Sequence, residues 1–341
     1  MTHPPAARPA RLEQLQAWAA DPQARGAFSP LAEHPYLLFD AGGAQPPEPA
    51  QSRIRAWLRE LPCPSLAIAA EPTALTPACD VVLDNAEDAG LLIDNIARSP
   101  LAASVLAQLL RAVESMPLAD ALLAESLAYS TLQAGPEFQR WRETQRAVPA
   151  AAPPARDVGP PVLVERDDAT LRLQLNRPSN RNAMSVEMRD ALVEALQLVL
   201  CDDSIRSVHI AARGKCFSVG GDLAEFGTAP DPAVAHAIRS LTLPGRLLAA
   251  CADRVEIHVH GACIGSGIEF PAFAARLGAT ADAHFQLPEL KYGLIPGAGG
   301  CASITRRIGR QRTAWLALSG RRIKARQALE WGLVDVVDDH V

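Results

Sequence analysis

Five prolines between Ala147 and Pro161 (AVPAAAPPARDVGPP) divide the chain. Proline fixes φ and has no amide hydrogen. A stretch this rich in it, with almost nothing to bury, continues neither a helix nor a sheet. The segment therefore predicts an extended linker over 147–161, an N-terminal part over 1–146 and a C-terminal part over 162–341. A length of 341 residues agrees with two units, since one domain takes roughly 150 residues.

Composition narrows the function classes. Hydrophobic residues are 48% of the chain and charged residues 21%, which excludes global disorder. Thirty-three Lys and Arg against 38 Asp and Glu give a net charge of −5, without the basic excess of a nucleic-acid binder. Apolar runs such as Leu247–Cys251 are far shorter than a membrane span. The opening MTHPPAARPARLEQ has no signal-peptide core. Seven cysteines (63, 79, 201, 216, 251, 263 and 301) include no C-x-x-C pair. That argues against a disulfide scaffold or a zinc ribbon and for free thiols in a reducing cytoplasm. The expectation is a soluble cytoplasmic protein with no nucleic-acid partner, no membrane partner and no metal.

In the N-terminal part, Tyr36–Phe39 and Ser65–Ile68 read as strands, and Gln51–Leu61 as an amphipathic helix with Ile54, Trp57, Leu58 and Leu61 at helical spacing. Asn85–Arg146 reads as helices punctuated by Pro100 and Pro117. In the C-terminal part strands are expected at 162–165, 170–175, 207–212 and 255–259. Helices are expected at 186–200, 233–251, 266–277, 300–308, 311–318 and 324–331. That alternation predicts an α/β fold with helices covering a sheet.

Three segments carry candidate chemistry. Gly214–Leu223 turns through Gly220-Gly221 after a strand and before Asp222. Gly261–Glu269 follows another strand with small residues that can open a helix, whose first amides are unpaired and favour negative charge. Phe285–Gly300 sets Glu289 ahead of a glycine-proline corner and a further helix start. Each is weak alone, because a lone glutamate is ordinarily a surface residue or a helix cap. Their order is more specific. The stretch resembles the crotonase (enoyl-CoA hydratase/isomerase) superfamily over about 162–338. The likeness begins at Asn176-Arg-Pro with Asn182-Ala-Met184. It continues through F-S-x-G-x-D at 217–222, G-x-x-x-G-x-G-x-E at 261–269 and P-E-x-x-x-G-x-I-P-G-A-G-G at 288–300. It closes with Arg306-Arg307-Ile-Gly309, Leu318-Ser-Gly320 and Ala328-x-x-x-Gly332-Leu-Val-Asp335.

The resemblance implies an α/β, crotonase-like (ββα spiral) core and an enzyme acting on acyl thioesters. Glu269 and Glu289 match the acid/base positions of the hydratases. The backbone N–H groups of Gly221 and Ser266 match an oxyanion hole, with serine where the family usually has glycine. Ser218, Asp222, Leu223, Gly265 and Gly297 fall at matched substrate-binding positions. Reaction at Cα or Cβ of a thioester passes through an enolate, which two aligned amides in a dry site stabilise. Two carboxyls in one pocket repel and separate in pKa, which suits one to be base and the other acid. The implied activity is reversible addition of water to a 2-enoyl thioester, giving the 3-hydroxyacyl form. Alternatives are dehydration with thioester hydrolysis on acyl-carrier-protein chains, as in diffusible fatty-acid signal synthesis, enoyl-CoA isomerisation, and non-catalytic thioester binding. No cofactor is implied beyond the CoA or phosphopantetheine of the substrate, and a homo-oligomer is the family's usual state. Arg177, Arg181 and Lys215 lie near nucleotide-contacting segments, although each also reads as a surface charge. His209, His258 and His260 read as core or edge histidines.

Family members usually carry several further helices after the segment matched by 328–335. In this chain, Cys79-Asp-Val-Val-Leu-Asp-Asn85 echoes Val334-Asp-Val-Val-Asp-Asp339, and helix-forming sequence follows it. The expectation is that the N-terminal part is a degenerate crotonase-like, mostly helical unit that supplies those helices. The alternative is an unrelated helical domain with a chance match.

Overall fold

The structure, a computed structural model, describes residues 8–146 and 157–338. Residues 147–156 of the expected linker lie outside the described residues. Residues 157–161 run without helix or strand, and the Ser179 hydroxyl donates to Asp157 at 2.6 Å. Among the described residues no helix is long and apolar enough to cross a membrane.

The N-terminal part opens with α1 (Leu12–Ala20), β1 (Leu37–Asp40), α2 (Glu48–Glu60), β2 (Ser65–Ile68) and β3 (Val81–Leu83). The three strands form a parallel sheet in sequence order. Four helices follow: α3 (Ala89–Arg98), α4 (Pro100–Val113), α5 (Leu118–Ala134) and α6 (Pro136–Arg146). Prolines at the starts of α2, α4 and α6 occupy positions where a missing amide costs nothing.

The C-terminal part begins with the hairpin β4 (Val162–Asp167) and β5 (Thr170–Leu175), then α7 (Val186–Cys201), β6 (Ser207–Ala212), α8 (Pro232–Leu241), α9 (Pro244–Ala250) and β7 (Val255–Val259). Next come β8 (Ala262–Ile264), the one-turn α10 (Ser266–Glu269), β9 (Arg276–Thr280) and β10 (His284–Gln286). The last elements are α11 (Gly300–Ile308), α12 (Arg310–Ser319), β11 (Ile323–Lys324), α13 (Ala325–Trp331) and β12 (Val336–Asp338). Six strands make one sheet in the order β12-β9-β7-β6-β5-β4, parallel except for the hairpin. A small sheet, β11-β10-β8, stands beside it. Leu171, Leu173 and Leu175 of β5 and Val208, Ile210 and Ala212 of β6 point into the core, the period of a half-buried strand. Ser185 caps α7 by accepting the Met188 amide, and Met188, Leu192, Leu196 and Val199 bury its inner face.

Two expected helices are corrected. The segment expected as helix 266–277 is α10, a 3₁₀ turn at Pro271–Phe273 and the start of β9, because Pro271 lacks the donor that would continue α10. The expected helix 233–251 divides at Pro244 into α8 and α9.

The two parts share one hydrophobic core, in which Leu92, Leu106, Leu122 and Phe138 join Leu294, Cys301 and Ile304. A buried ion cluster ties them. Asp80, just before β3, receives Arg111 from α4 and Arg310 from α12, and all three side chains are almost fully buried. Arg310 also donates to the carbonyls of Cys79 (2.8 Å) and Pro77 (2.9 Å).

The echo between 79–85 and 334–339 has a geometric counterpart. The Asp80 amide donates to Ser65 O at 3.1 Å, and its carboxylate accepts the Ser65 amide at 2.8 Å. The Asp335 amide donates to Leu277 O at 2.8 Å, and its carboxylate accepts the Leu277 amide at 2.7 Å. Each aspartate precedes a parallel edge strand and also pairs with an arginine, Arg111 in one case and Arg307 in the other.

Removing one partner of a buried ion cluster leaves charge uncompensated, at a cost of about 3–5 kcal/mol. Asp80→Ala is therefore expected to lower the urea midpoint by a matching amount and to loosen both parts together. An unchanged midpoint would show that the cluster does not hold the halves.

Candidate active site

The amides of Gly221 and Ser266 are brought together by register. Ser218 and Cys263 form a parallel bridge, with the Ser218 amide donating to Ala262 O (3.1 Å) and the Ile264 amide to Ser218 O (3.0 Å). Gly221 and Ser266 each lie three residues beyond that bridge and face the same cavity. Among the described residues neither amide has a hydrogen-bond acceptor, and Ser266 opens α10, where the first amides have no partner within the helix. Gly265 makes the corner with φ +51°. A Cβ there would lie 2.6 Å from Glu289 Oε1, so only glycine lets the turn pass the carboxyl.

Glu269 ends α10 and Glu289 opens the 3₁₀ turn Glu289–Tyr292. Both are buried and both line the cavity, of about 350 Å³. Glu269 Oε2 accepts the amides of Ala298 (2.7 Å) and Gly300 (3.0 Å). Burial pushes its pKa up to about 7 against the opposing pull of those amides. Glu289 differs: its Oε2 is buried without a hydrogen-bond partner among the described residues. Burial first, and then the charge of Glu269, raise its pKa well above the ordinary carboxylate value. The pair thus divides into a carboxyl whose ionised form is held by amides and one that keeps its proton.

Residues 165–340 match the family model for enoyl-CoA hydratase/isomerase. The chain belongs to the enoyl-CoA hydratase/isomerase family. It is 34% identical over 183 residues to 1,2-epoxyphenylacetyl-CoA isomerase of Escherichia coli, covering 52% of this chain and 70% of that protein. It is 34% identical over 176 residues to 2,3-dehydroadipyl-CoA hydratase of the same organism, covering 52% and 68%. It is 32% identical over 177 residues to trans-2-decenoyl-[acyl-carrier-protein] isomerase of Streptococcus mutans, covering 51% and 67%.

Of the other positions matched to the family, Asp222 and Gly297 line the cavity. Ser218, Leu223 and Gly265 are not among its lining residues. The Ser218 hydroxyl is committed to Asn182 O (2.7 Å) and to the Gly220 amide (3.2 Å), so it shapes the turn. Leu223 points outward at 43% exposure, and Gly265 acts through its corner. Arg177 pairs with Glu187, while Arg181 and Lys215 are exposed. His209 and His258 lie beside Glu256 and Asp338 on the sheet, and His260 bonds Gly214 O.

The sequence predicted that N-terminal helices supply the missing cover, but not which side chains they bring to the site. Tyr129 of α5 lines the cavity, packed so closely on Gly297 that a Cβ there would lie 2.2 Å from the ring. Glu125, one turn earlier, is buried against the start of α11, where it accepts the amides of Gly299 and Cys301. Trp141 of α6 packs on Tyr292 at 4.9 Å and on Phe226 at 6.0 Å between ring centroids, behind the turn that carries Glu289. The available signal was Glu125 itself, an acid on the same helical face as Ala121 and Leu122.

Glu289 also sets a stability slope. The unfolded chain releases this proton near pH 4.5, while the folded protein retains it to higher pH. The contribution is thus lost as pH rises from the unfolded value through the folded one. Glu289→Gln, similar in shape and uncharged, is expected to raise Tm relative to wild type at pH 8 more than at pH 4. Equal shifts at both pH values would contradict a raised Glu289.

Proposed function

We propose that the protein catalyses reversible hydration of 2-enoyl thioesters. One observation carries this reading: two buried carboxyls of unlike character and two unpaired amides face a single cavity. The thioester oxygen accepts the amides of Gly221 and Ser266. Ionised Glu269 takes a proton from water as its oxygen bonds to Cβ, and the electron pair of the double bond moves onto the thioester as an enolate. Protonated Glu289 then gives its proton to Cα, and the product is the 3-hydroxyacyl thioester. Dehydration retraces these steps. CoA or phosphopantetheine enters as part of the substrate, and no other cofactor takes part.

Isomerisation is the second reading, supported by the relative named trans-2-decenoyl-[acyl-carrier-protein] isomerase. The same carboxyls would move a proton from Cγ to Cα with no change in mass. We further propose that the N-terminal part is a degenerate crotonase-like unit whose helices complete the site. The matching Asp80 and Asp335 arrangements and the seating of α5 and α6 behind the two glutamate turns support it. A homo-oligomer in the cytoplasm completes the reading, on the family's usual state and on seven unpaired cysteines.

The test is absorbance loss of enoyl thioesters offered on CoA and on acyl-carrier protein, with mass spectrometry for gain of water. Glu269→Gln and Glu289→Gln are each expected to lower kcat by about 10²- to 10⁴-fold. A rearranged double bond without added water would favour the isomerase. Release of the free acid would favour dehydration with thioester hydrolysis, and inert wild type and variants that still bind would favour a binding protein. Residues 160–341 expressed alone would lose the cover of α3–α6 and are expected to be insoluble or inactive. A soluble, fully active fragment would remove the assigned role of the N-terminal part.

A further inference from the structure

The turn that leads into α11 presents four successive amides to two carboxyls in alternation. Ala298 and Gly300 donate to Glu269 Oε2 at 2.7 and 3.0 Å. Gly299 donates to Glu125 Oε1 at 2.6 Å, and Cys301 to Glu125 Oε2 at 2.8 Å. Glu269 belongs to the C-terminal part and Glu125 to α5 of the N-terminal part, so side chains from both parts fasten one turn. Because the amides alternate along the backbone, a rotation that frees Gly299 and Cys301 also swings Ala298 and Gly300 away from Glu269.

We propose that Glu125 is a positioning residue for Glu269, clamping the Ala298–Cys301 turn from behind so that its other two amides stay aimed at the catalytic carboxylate. This deepens the proposed reaction and rests on Glu269 being its base. A surface cap would stand in water, but Glu125 is buried to 2% exposure, in a helix otherwise given to packing. The groups around it are Glu269 on α10, Glu289 on the next turn, the Cys301 thiol on α11, Tyr129 on its own helix and Arg239 on α8. The His236 ring of α8 lies farther round, bonded to Ser126. Burial, and then the charge on Glu269, raise Glu125 to about 8, one step above Glu269 at about 7. A charge that appears on Glu125 strengthens Glu269 as a base, so kcat of the wild type should climb with pH in two steps.

The experiment compares the full chain with Glu125→Gln and Glu125→Asp. The readouts are kcat, KM and the pH profile on an enoyl thioester, together with infrared difference titration of the protonated-carboxyl band. Glu125→Gln is expected to lose about 10- to 100-fold in kcat, the scale of a misplaced catalytic group, with KM nearly unchanged. Its profile should keep the step near pH 7 and lose the one near pH 8. Glu125→Asp, which keeps a carboxyl, should restore both the second step and part of the rate. An unchanged kcat and an unchanged profile in Glu125→Gln would overturn the proposal and leave Glu125 a helix cap. If no enoyl thioester is turned over, the hydration reading fails, while the infrared titration still judges Glu125. A titration of the Glu269 carboxyl that moves in Glu125→Gln would support the clamp, and a Glu269 titration identical to wild type would overturn it.

Discussion

A carboxylate taken out of water without partners is so unfavourable that it either captures hydrogen-bond donors or stays protonated. Three carboxyls lie close together in the interior of this protein, and that constraint sorts them. Glu269 and Glu125 reach the N-terminal end of α11, where amides without intrahelical partners and the helix dipole oppose the upward push of burial on both. Among the described residues Glu289 reaches no such donor through Oε2. The difference in environment between Glu269 and Glu289 is thus set by the main chain around two chemically identical side chains. The α11 start does this by offering successive amides, which a single glycine-rich turn supplies and an ordinary loop does not.

The turns that carry this chemistry are short and need support from behind. α5 stands behind the turn before α11, and α6 behind the turn that bears Glu289, where Gly293 passes so close to Glu137 that a Cβ would lie 2.6 Å from its Cβ. The Glu137 carboxylate in turn accepts the amides of Leu101 (2.8 Å) and Ala102 (3.0 Å) at the start of α4, which fastens α6 to its own part. At the far side of the helical layer, Arg310 inserts from α12 among the carbonyls before β3. Helices attached covalently stay at high effective concentration for these contacts whichever end of the chain supplies them. The cost of closing a long connection grows only slowly with its length.

Much of the scaffold was legible because its elements bury one face at a fixed period. The leucines of β5, the valines of β7 and the capped, apolar-striped α7 follow directly from spacing. The short strands β8, β10 and β11 were not legible, since two or three residues hold no periodicity and their pairing comes from distant segments. The false helix over 266–277 shows local composition overridden by one missing amide at Pro271. At the site, the ordered motifs pointed to Glu269, Glu289, Gly221 and Ser266, which the fold brings to one cavity, whereas the Ser218 hydroxyl, expected there too, is bonded to the backbone away from it. Glu125 stayed hidden because its partners lie more than 170 positions away. Its place on the face of Ala121 and Leu122 marks it as inward-facing, but nothing local names the amides it caps.

The serine at 266 shows which features of the site are fixed by backbone and which by side chain. Its amide direction follows from the positive φ of Gly265 and from the parallel bridge between Ser218 and Cys263, and both leave the Ser266 side chain free. Its hydroxyl is buried and makes no hydrogen bond among the described residues, so it helps neither to form the turn nor to aim the amide. Glycine at 265 is required by geometry, while serine at 266 is tolerated because the turn strain is taken up one residue earlier. A pair of main-chain amides that faces one cavity therefore survives a change of side chain at one of its two donors, provided the residue before that donor keeps its freedom to turn.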